Sequence, residues 1–358
     1  MEIGLHLWPW HPMKELLGYA EQARREFPFD HIWLVDAMQY EDSLTAMAAM
    51  AMDLDVSLGT MVTFPRRNPM ELAQRFSSLS HLMRPGRQVV AGLGSGGRLQ
   101  ESVLAEGTSP EKVSVVKETV SFLRRLFAGE SIELAQFPEL VSRFNYNGKA
   151  RARLYFPPGG PLPVYLAAGG PKMFQIASRE ADGVILTQIN PWTSLAGMRA
   201  GRFRQAIETV EASLKSSGNP RRFKKIYSAK ISVSENGQAA RQWAKRQISY
   251  GAATYPKALL QLGCDPEEIE RIRTAYVQGL GIEEAAGRVS DALAEQLGFV
   301  TAGTPEECTA GYEEILDHLE GLGFDHLVMG VPLGPNVSEA LKLITKKILP
   351  ALKGRLGN

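Results

Sequence analysis

Eight times along this chain of 358 residues, a short apolar segment rich in β-branched residues gives way to a stretch with helical spacing. Strands are expected at 3–8 and 31–36, from Val56 to a stop at Pro65, and at 88–93, 163–168, 183–187, 224–233 and 325–331. Helices are expected at 13–27, 43–52, 69–83, 110–127, from Pro171 to about Glu180, at 195–216, from Thr304 onward, and at 336–349. The segment 43–52 is so rich in Ala and Met that burial nearly all round is expected. Thr304-Pro305-Glu306-Glu307 supplies an N-cap, a proline at the first helical position and an acidic residue at the third.

Eight strand–helix units close most simply as an α/β fold, a (β/α)8 TIM barrel. The whole chain, 1–358, then forms a single domain with two insertions. One, at about 131–154, reads as a hairpin or excursion with Asn145-Tyr146-Asn147-Gly148 as its turn. The other, at about 238–298, is long and mostly helical. A doubly wound open sheet is the alternative. Against it, no early strand runs into GxGxxG. Gly92-Leu93-Gly94-Ser95-Gly96-Gly97 falls on the fourth strand and lacks the acidic residue needed downstream for a ribose.

Charge narrows the partners. Lysine and arginine total 40 and aspartate and glutamate 39, which gives no case for nucleic acid or an anionic membrane. No apolar run approaches the roughly 20 residues that span a bilayer. The first residues lack a basic stretch followed by an apolar one, so a cytoplasmic protein with a small-molecule substrate is expected. Cys264 and Cys308 are far apart and outside any CxxC spacing, which argues against a disulfide framework and predicts no metal site.

In a barrel, chemistry sits at the C-terminal strand ends. Those ends place His6 and Trp8, Asp36, 61–64, 92–97, 168–172, 187–190 and 330–334 together. The stretch 56–69 is either one more strand and its loop or the wall of a cofactor site. Gly169-Gly170-Pro171-Lys172-Met173 suits an anion: two glycines permit close backbone approach, a helix start offers free N–H groups, and Lys172 adds charge. A plain βα turn is the other reading. Gly94 and Ser95 lie in a similar, no more specific loop. Asp36 reads as a buried backbone acceptor or as a cofactor ligand. His6 reads as a wall residue or as a proton carrier near neutral pH. Arg66 and Arg67 meet an anionic substrate or tail, or form a solvated face.

Several stretches carry a family resemblance: Trp33-Leu34-Val35-Asp36, Leu58 through Pro69, Ala168 through Met173 with Ala181-Asp182-Gly183-Val184, and Ala302-Gly303-Thr304-Pro305 through Gly330-Val331-Pro332-Leu333-Gly334-Pro335-Asn336 to Pro350. The chain resembles the bacterial-luciferase-like superfamily. Within it, the chain is similar to the 5,10-methylenetetrahydromethanopterin reductases, which use the deazaflavin coenzyme F-420 (8-hydroxy-5-deazaflavin). The resemblance implies a luciferase-like TIM barrel, a homodimer or larger homo-oligomer, and hydride transfer at the deazaflavin C5. It implies a bulge with a non-prolyl cis peptide at Met61–Val62 backing the ring, so that Met61, Val62 and Thr63, with Gly94 and Ser95, border the cofactor. The cofactor tail would run towards Gly169, Gly170, Pro171, Lys172 and Met173. His6 and Asp36 are then the catalytic candidates, His6 for a proton and Asp36 to fix the cofactor or orient His6.

Three positions depart from the reductases. Ala37 stands where members often have His, His6 where the reductases carry a carboxylate, and Gly97 where they carry an acidic residue. These changes imply a different substrate. Two other readings remain open: an FMN-dependent monooxygenase on the same barrel, and a cofactor-binding paralogue without catalysis.

Overall fold

Eight parallel strands close on themselves in the computed structural model, which describes residues 1–36, 40–96, 112–217 and 222–356. The barrel strands are β1 (Glu2–Leu7), β2 (His31–Leu34), β3 (Ser57–Thr60), β4 (Val89–Leu93), β5 (Val164–Ala167), β6 (Gly183–Thr187), β7 (Lys224–Val233) and β8 (His326–Leu333). Each pairs with the next, and β8 closes on β1 with Glu2 opposite His326 and His6 opposite Gly330. The open-sheet alternative is thereby excluded.

The strands alternate strictly, as the two-residue repeat demands. Ile3, Leu5 and Leu7 of β1, and Leu327 and Met329 of β8, pack with the surrounding helices. The intervening residues face the barrel axis. Midway along the axis Trp33, Val90, Tyr165, Ile185, Ile226 and Val328 form a separate apolar layer with Met61. Trp33 is fully buried there. Its indole occupies space that only glycine can leave: a Cβ at Gly59 would come within 2.5 Å of the ring, and one at Gly4 within 2.9 Å. The glycines thus set the size of the plug.

Several boundaries differ from the sequence reading. The helix Ser43–Asp53 is buried on one face only, and Met52 is 62% exposed. Composition overstated its burial because alanine and methionine are tolerated on either face. The helix expected at 195–216 is two, Leu195–Arg199 and Arg202–Ser217, with Gly201 at φ 72° between them. The last helix runs past Pro350: a π-helical segment, Ile344–Ile348, precedes Leu349–Leu356. The wider π turn relieves the demand for a backbone donor at the proline. A short strand, Thr301–Gly303, pairs with β7 where the sequence showed only a helix start. The start of the helix expected at 110 lies partly outside the described residues, and Val113–Phe127 is observed.

Two excursions interrupt the strand–helix units. Ile132–Glu133 pairs antiparallel with Arg151–Ala152, enclosing the helix Pro138–Phe144, and Asn145 takes the left-handed cap at φ 53°. The longer one comprises the helices Gly237–Thr254, Pro256–Leu260, Pro266–Val277, Ile282–Gly287 and Asp291–Leu297. It has its own apolar core, including Ala244, Ile248, Ile272, Leu293 and Phe299, and joins the barrel through Ile189. Thr304 and Glu307 form the expected capping box. Among the described residues no helix is long and apolar enough to cross a membrane.

Candidate active site

The C-terminal end of β3 is where the ladder departs from regularity. After Thr60 the chain makes a cis peptide at Met61–Val62, at the expected bond. The hydroxyl of Thr60 stands in for the interrupted ladder, accepting from Gly92 N at 3.0 Å and donating to Gly92 O at 2.9 Å. Gly92 is required here, since a Cβ would fall 1.9 Å from Thr60 O. Pairing resumes at Thr63, whose N–H donates to Gly92 O at 2.8 Å. Gly94 closes the bulge from the other side, where a Cβ would lie 2.6 Å from Val62 Cγ2. The result is a ledge of Met61, Val62 and Thr63 at the C-terminal end of β3, with Met61 against the axial layer and Thr63 turned onto Asp36. A second cis bond, Val331–Pro332, marks the end of β8, where the register with β7 shifts.

Asp36, at the end of β2, is buried and fully engaged. It accepts from Thr63 Oγ1 at 2.5 Å, and Arg67 grips it with Nε to Oδ2 and Nη2 to Oδ1, both at 2.7 Å. Such a bidentate pair fixes geometry as well as charge. Arg67 also reaches Asp42 at 3.3 Å. In this structure Asp36 therefore anchors the ledge, and Arg67 is paired with it. Ala37 and Gly97 lie outside the described residues.

His6 occupies the axis-facing side of β1 and is 2% exposed. Gly330 opposite makes room for it, since a Cβ there would sit 3.2 Å from the imidazole. Lys230 of β7, 4% exposed, places its Nζ 3.3 Å from His6 Nδ1 and donates to Ser228 Oγ at 3.2 Å. Burial lowers the Lys230 ammonium from 10.5 to about 7. Burial first, and the neighbouring Lys230 second, hold His6 well below its ordinary value, so its ring is neutral at physiological pH. Nε2 of His6 has no hydrogen-bond partner. Buried polar atoms without partners also include Thr187 Oγ1, at the end of β6, and Nε1 of Trp8 and of Trp10, just beyond β1. Trp8 and Trp10 pack at 4.6 Å between centroids, beside Val35 and Val331.

Lys230 was not foreseen. The strand reads Lys-Lys-Ile-Tyr-Ser-Ala-Lys-Ile-Ser-Val, and its parity with Ile226 and Ser228 was the available signal that Lys230 faces inward. Gln188, within the 187–190 strand end, is a second such residue. Its Oε1 accepts from Lys230 N at 2.7 Å, and its amide donates to Gly298 O at 3.0 Å, which ties the mouth to the helical insertion.

Gly169, Gly170, Pro171, Lys172 and Met173 stand at the mouth end of β5. Asn190 donates to Gly169 O at 3.3 Å, and a Cβ at Gly169 would strike its amide at 2.5 Å. Gly170 caps the ten-residue helix Pro171–Glu180 without any side chain, so the first N–H groups are open, and Lys172 is exposed beside them. Space over Gly170 is free. Ser95 is partly buried next to Gly94 in the loop after β4. A groove of about 510 Å³ lined by Met70, Leu134, Tyr146 and Tyr155 lies under the 131–154 excursion, away from these groups. At the mouth, His6 Nε2, Thr187 Oγ1 and the indole nitrogens of Trp8 and Trp10 are among the buried polar atoms without partners.

Known proteins share this fold. A 5,10-methylenetetrahydromethanopterin reductase of Methanolobus tindarius is 28% identical over 354 residues, covering 98% of this chain and all of that protein. An F-420-dependent glucose-6-phosphate dehydrogenase of Intrasporangium calvum is 28% identical over 365 residues, covering 98% and 90%. Among solved structures, the coenzyme F-420-dependent tetrahydromethanopterin reductase of Methanopyrus kandleri superposes with a TM-score of 0.73 at 20% identity, covering 98% of each chain. An EDTA monooxygenase of Chelativorans superposes at 0.61 and 17% identity, covering 99% and 94%. These likenesses establish the fold, and the family pattern of the luciferase-like monooxygenases matches residues 6–326. The closed barrel, its β3 bulge and this match lead to one conclusion: the chain belongs to the luciferase-like monooxygenase family.

Proposed function

We propose that this protein is an oxidoreductase that binds coenzyme F-420 across the barrel mouth and exchanges hydride with a small-molecule substrate other than methylenetetrahydromethanopterin. The observation that carries the reading is the buried His6–Lys230 pair with Nε2 of His6 left partnerless. Full-length relatives of both F-420-dependent kinds support the cofactor. The residues present fit a flat anionic group: an apolar ledge, partnerless donors and acceptors around it, and a helix start with Lys172 for a charged tail.

When bound, the deazaflavin supplies hydride at C5. The protein does the rest. Met61, Val62 and Thr63 back the ring, held in place by the Asp36–Arg67 anchor. Burial keeps water from the reacting atoms. Lys230, when protonated, can only donate, so it directs Nδ1 of His6 to accept and leaves the ring proton on Nε2. That proton passes to the substrate as it is reduced, while Lys230 supplies Nδ1 in turn. In the oxidising direction both transfers reverse. His6 in place of the reductases' carboxylate supports a different substrate.

The test is a titration of the purified protein with F-420 and with FMN, read by fluorescence. Saturable F-420 binding with none for FMN, followed by turnover over a panel of hydride acceptors, supports the proposal. FMN binding with oxygen-dependent turnover would replace it with the monooxygenase reading, which the likeness to the EDTA monooxygenase favours. F-420 binding without any turnover would leave a cofactor-binding paralogue. We extend the proposal to a homodimer or larger homo-oligomer. The exposed Tyr155 and Phe156 support a buried contact, and light scattering measures it.

A further inference from the structure

We infer that the floor of the barrel, at the N-terminal strand ends, is a binding site for a divalent cation of the zinc or cobalt(II) class, held by Glu2, His31 and His326. The three residues come from β1, β2 and β8, which are neighbours at the seam where the chain's first and last strands meet. All three face the axis. One ligand atom from each lies within 4.8 Å of the others. Nε2 of His326 is 2.6 Å from Glu2 Oε2, and Nδ1 of His31 is 3.6 Å from the same oxygen.

The 2.6 Å approach of His326 Nε2 to Glu2 is a side-chain hydrogen bond, whereas His31 makes none. Both nitrogens of His31 and Nδ1 of His326 have no hydrogen-bond partner, although His31 and His326 are 3% and 1% exposed. Two buried imidazoles that converge on one carboxylate and leave three of their four nitrogens unsatisfied call for a further shared partner. A cation supplies it. Donors about 2.0–2.1 Å from a tetrahedral ion sit roughly 3.3 Å apart, within the spread seen here. The donor chemistry decides the class: two imidazoles and one carboxylate suit borderline metals, whereas calcium and magnesium demand oxygen.

Nearby cations do not compete, since Lys224 pairs with Asp325 at 2.8 Å and Arg87 with Asp55 at 2.8 Å. The Glu2 side chain, 44% exposed, leaves a path for the ion and for a water as fourth ligand. The Trp33 layer separates this site from the mouth. From Glu2 to His6 the strand rises roughly 13 Å. The ion is therefore a staple across the barrel seam, outside the hydride chemistry and independent of which cofactor the mouth takes. Cysteine spacing gave no hint of it, because Glu2, His31 and His326 are dispersed through the sequence.

The experiment uses the full-length protein stripped with a chelator and titrated with cobalt(II), then with zinc. One equivalent of cobalt(II) with the visible absorption of a four-coordinate site, displaced by zinc, is expected. A zinc-dependent rise in Tm of several degrees should accompany it at about 100 times the dissociation constant. Glu2→Gln should weaken binding by about 10-fold or more while circular dichroism stays unchanged, and Glu2→Asp should recover part of it. His6→Ala should leave cobalt binding intact. Absence of a cobalt band and of a Tm shift in the wild-type protein overturns the inference. So does unchanged affinity in Glu2→Gln, or loss of the band in His6→Ala, which would place the ion at the mouth.

Discussion

At the mouth of the barrel His6 faces Lys230, and among the described residues no carboxylate contacts either. At the floor His31 and His326 face Glu2. Both clusters are built on β1 and lie on the same axis, separated by Trp33 and its layer. All three imidazoles are nearly inaccessible. The difference lies in the charge each end assembles. At the floor a carboxylate compensates the imidazoles, and the set resembles a ligand cage. At the mouth a cation is buried beside a neutral ring, which burial alone opposes. A fold keeps such an arrangement where a function needs a titrating proton near neutral pH, at the expense of stability. The two ends therefore answer differently to pH and to substitution.

The largest expected effect comes from removing the mouth's buried charge. The fall of Lys230 from 10.5 to about 7 corresponds to about 5 kcal/mol held against folding at or below neutral pH. The unfolded lysine keeps its proton up to 10.5 and the folded one only to about 7. Unfolding between those values takes up a proton, so stability rises with pH across that window. Lys230→Met should raise Tm at pH 7 and abolish this rise, while turnover falls. Calorimetry across pH 6 to 10 checks it.

Breaking the separator comes next. Trp33→Ala should destabilise by about 3–5 kcal/mol in urea unfolding, because the layer has no other ring of that size to fill the space. Gly59→Ala should destabilise too, since its Cβ meets the immobile indole. His6→Ala tests the mouth alone. F-420 affinity should stay near wild type and kcat should drop by roughly 10²-fold or more. Unchanged turnover would make His6 a wall residue.

Acid isolates the floor. Folded His31 resists protonation until about 3 while the unfolded residue accepts a proton near 6.5, so stability falls as pH drops through that range. Glu2, held at about 2 against an unfolded 4.5, adds a loss below 4.5. His31→Asn should flatten the acid limb without touching the alkaline one. The smallest effect is expected at Lys172. Its replacement by alanine should weaken F-420 binding by a few-fold, and less so at high salt, as for any exposed charge.

Much of this molecule is legible in its sequence, element by element. The strand β7 is plain from Ile226 to Val233, yet reading it for apolar content passed over Lys230, whose inward parity carries the chemistry. The bulge at Met61–Val62 was placed to the bond by resemblance, but the reason it holds, Thr60 replacing a ladder bond and Asp36 clamping Thr63, needed coordinates. From the sequence, Arg67 reads equally as a ligand contact or a solvated charge. Its bidentate grip on Asp36 depends on two loops meeting, which no local pattern records.

The sequence by itself determined the repeating unit. Side-chain period fixes strand or helix locally, and eight such units leave a closed barrel as the simplest way to bury every inner face. That Gly4 and Gly59 leave room for Trp33 emerged only from the packed barrel. The tertiary structure alone decided which distant residues share a charge environment. Closure of β8 onto β1 brings Glu2 to His326, and the order β7, β8, β1 brings Lys230 to His6. Desolvation then sets their proton affinities, and desolvation is a property of what surrounds a group in space, which a linear sequence does not contain.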